Sequence, residues 1–179
     1  MALTIVATVG ASDANSFNTE TEQIAYMATR LNPSGWTTFT GAVCTESEKA
    51  AMIEATRELG AINAWLGYRV TTTQALAFPR DLVVNPDDPT PGTYYLTTVI
   101  PQRVKDAACE LAFQFLKAGT ADVAAASETA GIIEETVGPL TTRWASPSEQ
   151  TQGLMRYPRV WTLIAPLLST SAGQVRLVR

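Results

Sequence analysis

Histidine is absent from all 179 residues, and that absence excludes more chemistry than any residue present suggests. General acid–base catalysis near neutral pH, imidazole metal ligation and Ser-His or Cys-His activation of a nucleophile all depend on a side chain that titrates near 6.5. Carboxylate, lysine and oxygen-ligated metal chemistry survive this exclusion, so the composition argues against an enzyme without forbidding one. Cysteine is scarce too. Cys44 and Cys109 stand far apart, and Cys109 falls on a helical pattern where a small thiol packs well, so inert thiols are expected rather than a disulfide or a nucleophile. No stretch approaches the roughly 18 apolar residues of a membrane span. The opening run from Met1 to Val9 lacks the basic region of a signal peptide, which leads to an expectation of synthesis in a reducing cytoplasm. Phosphate-binding glycine loops, metal-spaced Cys/His clusters and nucleophile elbows are missing as well. The adjacent carboxylates Glu134-Glu135 and Asp87-Asp88 are weak substitutes, because neighbours in a strand face opposite ways and a proline-rich loop solvates its charges.

What remains is the composition of an ordinary globular domain, 46% apolar and 17% charged, long enough to bury roughly 68–70% of its unfolded surface. Its charge is uneven. Residues 1–137 carry 8 Lys+Arg against 16 Asp+Glu, or −8, whereas residues 138–179 carry five arginines against Glu149, or +4, which sum to the net −4. An acidic body with an arginine-bearing end differs from the broad basic face of a nucleic-acid binder and suits docking on an acidic protein surface, although solvated surface arginines would give the same pattern.

The pattern predicts a mainly α fold, a small helical bundle with a short β element and an extended C-terminal tail. Alternating Leu3, Ile5, Ala7 and Val9 predict an N-terminal strand. Thr19 with Glu22, and Thr45 with Glu48, have capping-box spacing. The first opens a helix carrying Ile24, Met27 and Leu31; the second opens a longer one carrying Met52, Ile53, Leu59, Ile62 and Leu66, with Gly60 as its weak point. Pro79 holds Phe78 out of helical geometry, and residues 85–92, with three prolines, read as a surface loop. Ile100-Pro101 opens the clearest helix, with Val104, Ala107, Ala108, Leu111, Ala112 and Phe115 on one face and Gly119 as its C-cap. A hairpin near residues 132–144 turns at Val137-Gly138-Pro139, and a last short helix after Tyr157-Pro158 is limited by Pro166. The expected division is a helical domain over 1–152 and, over 153–179, a helix and tail that become ordered on a partner.

The aromatic residues, Trp36, Trp65, Tyr68, Phe78, Tyr94, Tyr95, Trp144 and Trp161 among them, could stack on bases, at about 1–3 kcal/mol per base, but such platforms normally line a basic groove. An acidic body repels phosphates, so packing is the better account of these rings.

The order of Ser47-Glu48-Lys49, Ala55-Thr56-Arg57, the box Thr73-Gln74-Ala75-Leu76-Ala77-Phe78-Pro79-Arg80, Ile100-Pro101, Val137-Gly138-Pro139-Leu140 and Tyr157-Pro158 with Leu167-Leu168-Ser169 resembles the phage head–tail adaptor proteins. Similar sequences also carry the description DnaT-like single-stranded-DNA-binding proteins. The resemblance spans nearly the whole chain, and its most specific part is Gln74, Ala75, Leu76, Ala77, Phe78, Pro79 and Arg80. It implies a structural subunit of the virion neck, assembled in the host cytoplasm without cofactor or catalysis. The subunits would form a homo-oligomeric ring of about twelve copies on the portal protein, beside a stopper or tail-completion protein, with DNA passing through unbound. Arg143, Trp144, Arg156, Tyr157, Arg159, Trp161, Arg176, Leu177 and Arg179 are the candidate portal or subunit interface. Within the box, Leu76 and Phe78 are expected as core anchors, Pro79 as a turn, and Arg80 as a bridge to a carboxylate such as Asp81 or Glu58. The alternative is a single-stranded-DNA-binding module. A connector predicts no affinity for an oligonucleotide near physiological salt; a strand binder predicts affinity that falls steeply with salt.

Overall fold

A computed structural model describes residues 2–31, 35–118, 132–136, 141–144 and 153–169, the last strand pair through its backbone alone. Four α-helices lie among them: α1 (Glu20–Thr29), α2 (Glu46–Gly60), α3 (Gln102–Ala118) and α4 (Pro158–Ile164). Both expected capping boxes are complete. The Thr19 and Thr45 side chains accept from the backbone N–H groups of Glu22 and Glu48, whose carboxylates reach back to the cap residues. Glu48 does more than cap. It is buried, and it also accepts from the backbone N–H and hydroxyl groups of Thr37 and Thr38, tying the loop before α2 to the helix. These donors outweigh the burial that would otherwise raise the carboxyl, and hold it down at about 2.

Two antiparallel pairs supply the β element: β1 (Tyr68–Arg69) with β2 (Arg80–Asp81), and β3 (Ile132–Thr136) with β4 (Thr141–Trp144). The second is the hairpin expected near 132–144, irregular between Ile132 and Glu134, with Glu134 opposite Arg143. The first was not foreseen. Its tight start depends on Gly67, which has φ +67° and lies so close to β2 that an added Cβ would sit 1.8 Å from the Asp81 carbonyl oxygen.

The core forms where α3 packs against α2, α1 and α4. Val104, Ala107, Ala108, Leu111 and Ala112 are buried as the periodicity predicts. Phe78 closes its far end, edge-on to Trp65 (ring centroids 5.0 Å apart) and Phe17 (6.3 Å), after a cis Phe78-Pro79 bond. A buried polar cluster joins the helices. Glu110 accepts from the Tyr26 hydroxyl (2.9 Å) and from Nε and Nη2 of Arg30 (3.1 Å each at closest), and Arg30 lies 3.8 Å over the Phe113 ring.

Three expectations need correction. Residues 2–9 form no strand, because Asn15 satisfies them instead. Its side chain accepts from the Val6 N–H and donates to the Thr4 carbonyl, while Leu3 is held at the start of α2 by Glu46 and Lys49. The second helix ends at Gly60 rather than running to Leu66, since the Trp65 indole donates to the Leu59 carbonyl and draws the chain into a turn. Residues 154–169 do not wait for a partner. Val160, Ile164 and Leu167 are buried in the common core, and the backbone pairs Leu66 with Leu167 and Ser169 with Ala64. Gly119, the Val137-Gly138-Pro139 turn and residues 170–179 lie outside the described residues.

Candidate functional site

The chain between α2 and Ala77 encloses a cleft of about 570 Å³, and three of its lining residues are Arg57, Arg69 and Arg80. Local structure dictates how they meet. Arg57 occupies the last turn of α2, and the turn ending at Gly67 folds the chain back so that Arg69 on β1 is the direct cross-strand partner of Arg80 on β2. Like charges directly opposite one another in a strand pair repel. Asn15, Asn63 and Trp65 line the same cleft, and no Asp or Glu does.

Carbonyl dipoles, not carboxylates, hold the two opposed guanidinium groups. Arg69 Nη2 donates to the carbonyls of Gln74 (2.6 Å), Leu76 (2.8 Å) and Ala75 (3.0 Å). Arg80 donates through Nε to Leu66 (2.8 Å), through Nη2 to Gly67 (2.6 Å) and Trp65 (3.4 Å), and through Nη1 to Ala77 (3.4 Å). Arg80 therefore bridges backbone segments rather than pairing with Asp81 or Glu58 as expected, because the turn at 65–67 presents three carbonyls to it first. Burial, reinforced by the Arg69 charge, lowers its pKa from the ordinary arginine value. Arg57 differs from both. It is exposed and shares its charge with Glu54 at 3.0 Å. Among the described residues the cleft thus holds two guanidinium charges without an ionised partner, and Arg69 keeps Nε and Nη1 clear of the bonds that fix its Nη2.

The rest of the Gln74–Arg80 box is architectural. Gln74 is buried, accepts from the Thr71 N–H and donates to the Leu76 and Pro79 carbonyls. Ala75 donates its N–H to the Ala11 carbonyl, and Leu76, Phe78 and Pro79 are buried, the first two as the core anchors expected. The box builds one wall of the cleft and delivers Arg80 to it. Arg57 and Arg69 were missed as site residues, and only a prediction of the short β1–β2 pair could have found them.

Of the candidate interface residues, Arg156, Tyr157, Arg159 and Trp161 lie together at and just before the start of α4, the first three lining one small cavity with Glu110. Arg156 is exposed beside the Tyr157 ring (6.0 Å), Tyr157 stands edge-on to Phe115 (6.4 Å), and Trp161 is half-buried against the core. Arg159 is exposed and points back to Glu110 at 3.5 Å. Arg143 and Trp144 fall in β4, whose side chains are outside the description, as are Arg176, Leu177 and Arg179 entirely.

The two aspartates of the proline-rich loop are each taken up locally. Asp87 is ion-paired to Arg103, which holds its carboxyl below the usual range, and Asp88 accepts from the Thr90 N–H within the loop. Glu134 and Glu135 lie within β3. Among the described residues no group of His, Cys, Asp or Glu could hold a metal ion. Both thiols are buried and free. Burial pushes Cys44 up to about 12 and Cys109 well above the ordinary thiol value, which leaves neither as a nucleophile at neutral pH.

A family model described as "Putative DnaT-like ssDNA binding protein" matches residues 1–179. No curated protein and no solved structure matches the chain.

Proposed function

The chain belongs to this DnaT-like family, and on that premise we propose that it is a non-catalytic protein that contacts single-stranded DNA through the cleft of Arg57, Arg69 and Arg80. One observation carries the reading: two arginines sit directly opposite each other in a concave site with no lining carboxylate. A phosphate between them would relieve their repulsion and take up the donors that Arg69 leaves free. The expectation of an acidic body that repels DNA throughout gives way to a local exception, because β1–β2 pairing concentrates positive charge within an otherwise acidic surface.

Anisotropy of a fluorescent single-stranded oligonucleotide, titrated with salt, tests this reading. Binding at low salt should weaken as salt rises, with a log–log slope of about −0.7 per phosphate engaged. Arg57→Gln, at an exposed position that holds no backbone, should weaken binding and shallow that slope. Arg69→Lys, which keeps the charge but loses the planar donor fork, should weaken it less. Absence of binding at low salt, or variants that bind as the parent does, would refute the reading.

A second reading, the head–tail adaptor ring on a phage portal, is favoured by a different observation. Tyr68, Val70, Leu82, Val84, Tyr94 and Leu96 are all exposed within one irregular stretch, with Val84 and Tyr94 side by side as bridge partners. Exposed apolar groups concentrated in this way mark protein–protein contact, and the net −8 of residues 1–137 suits a lumen that DNA crosses without adhering. Sedimentation separates the two. A concentration-dependent ring that Tyr94→Asp abolishes, in a protein without oligonucleotide affinity, would favour the adaptor.

A further inference from the structure

The arginine cleft does not end at Arg57. A second groove of about 620 Å³ begins there, sharing Ile53 and Arg57 with the cleft and continuing along α2 past Ala50 to Leu3, Phe115 and Leu116. Its character is opposite. The cleft presents guanidinium groups and side-chain amides; the groove presents aliphatic carbon and one aromatic ring, with Ser47, Glu54 and Arg57 as its polar residues. The two cavities meet over a single turn of helix, since Ile53 and Arg57 are four residues apart and so share one face of α2.

We infer that the groove bounded by Ala50, Ile53, Phe115 and Leu116 receives a base of the nucleic acid whose phosphate occupies the adjoining arginine cleft. The inference rests on the proposed strand-binding function and names its second half. A nucleotide unit pairs an anionic group with a flat apolar one, and the surface offers a cationic cavity and an apolar one in direct continuity at Arg57. Glu54 stands at the junction, and its ion pair with Arg57 keeps its charge from acting alone on an entering phosphate. The groove has no cross-strand or stacking code for a particular base, so recognition is of a base as such.

The test uses the whole chain and two labelled ten-nucleotide strands of equal charge, one oligo-dT and one abasic. A base in the groove contributes about 1–3 kcal/mol, which makes oligo-dT bind about 5- to 150-fold tighter than the abasic strand. Ala50→Leu, at an exposed helical position that tolerates leucine, fills the groove without changing charge and should bring that ratio close to one. Arg69→Lys, at a residue that lines the cleft but not the groove, should weaken both strands and leave the ratio standing. Equal affinity of the parent for the two strands, or a ratio that survives Ala50→Leu, would overturn the inference while leaving phosphate binding in place. Failure of both strands to bind would overturn the inference and the strand-binding function together.

Discussion

Replacing Glu110 with alanine should be among the most destabilising single changes available to this fold. Its side chain is 1% exposed, and it partners an Arg30 side chain that is itself only 10% exposed. Alanine would remove the Tyr26 hydroxyl bond and the carboxylate that accepts from Nε and Nη2 of Arg30 over the Phe113 ring. Breaking a buried pair from one side costs about 3–5 kcal/mol, much of it the desolvation of the charge left behind. Against a total stability of about 5–15 kcal/mol that is a large fraction. At this chain length each kcal/mol moves the midpoint by about 2–4 °C, so Tm should fall by roughly 6–20 °C in a calorimetric or circular-dichroism melt. Removing both charges with well-packed replacements, Glu110→Leu with Arg30→Met, should recover most of the loss. A single variant within about 1 kcal/mol of the parent, or a double variant no better than Glu110→Ala, would show that the cluster does not hold α1 on α3.

Two further expectations follow from the loops. Gly67→Ala should cost at least about 2 kcal/mol in urea denaturation and weaken oligonucleotide binding, because its Cβ would overlap the Asp81 carbonyl and push apart the strands that oppose Arg69 and Arg80. Glu48 has a folded pKa depressed to about 2 from the ordinary 4.5, so it stabilises fully above about pH 4.5 and that contribution is lost as pH falls toward 2. Glu48→Gln should therefore flatten the acid limb of a stability–pH profile and lower stability at pH 7 by on the order of 3 kcal/mol.

How much was legible depends on the range over which each signal acts. Caps and amphipathic faces are written within one turn of helix, so Thr19–Glu22, Thr45–Glu48 and the Val104–Phe115 stripe were readable, and so was a hairpin near 132–144. The N-terminal strand was misread because alternation alone cannot say that Asn15 will satisfy the backbone of residues 4–6 in place of a neighbouring strand. The C-terminal helix was assigned to a partner on its arginines, yet its Val160, Ile164 and Leu167 face carries the larger burial and settles on α3.

The sequence by itself determined the helices, their caps, the buried face of α3 and the absence of any histidine-based chemistry, because each follows from residue type and local spacing. The tertiary structure alone decided the cleft. Arg57, Arg69 and Arg80 belong to a helix end and two two-residue strands, and nothing in their spacing forecasts that they converge. They do so because Gly67 permits a close antiparallel return and because carbonyls of the intervening loop compensate two like charges held face to face. Charge summed along a chain describes its average surface; where the chain folds back on itself decides the local field a ligand meets.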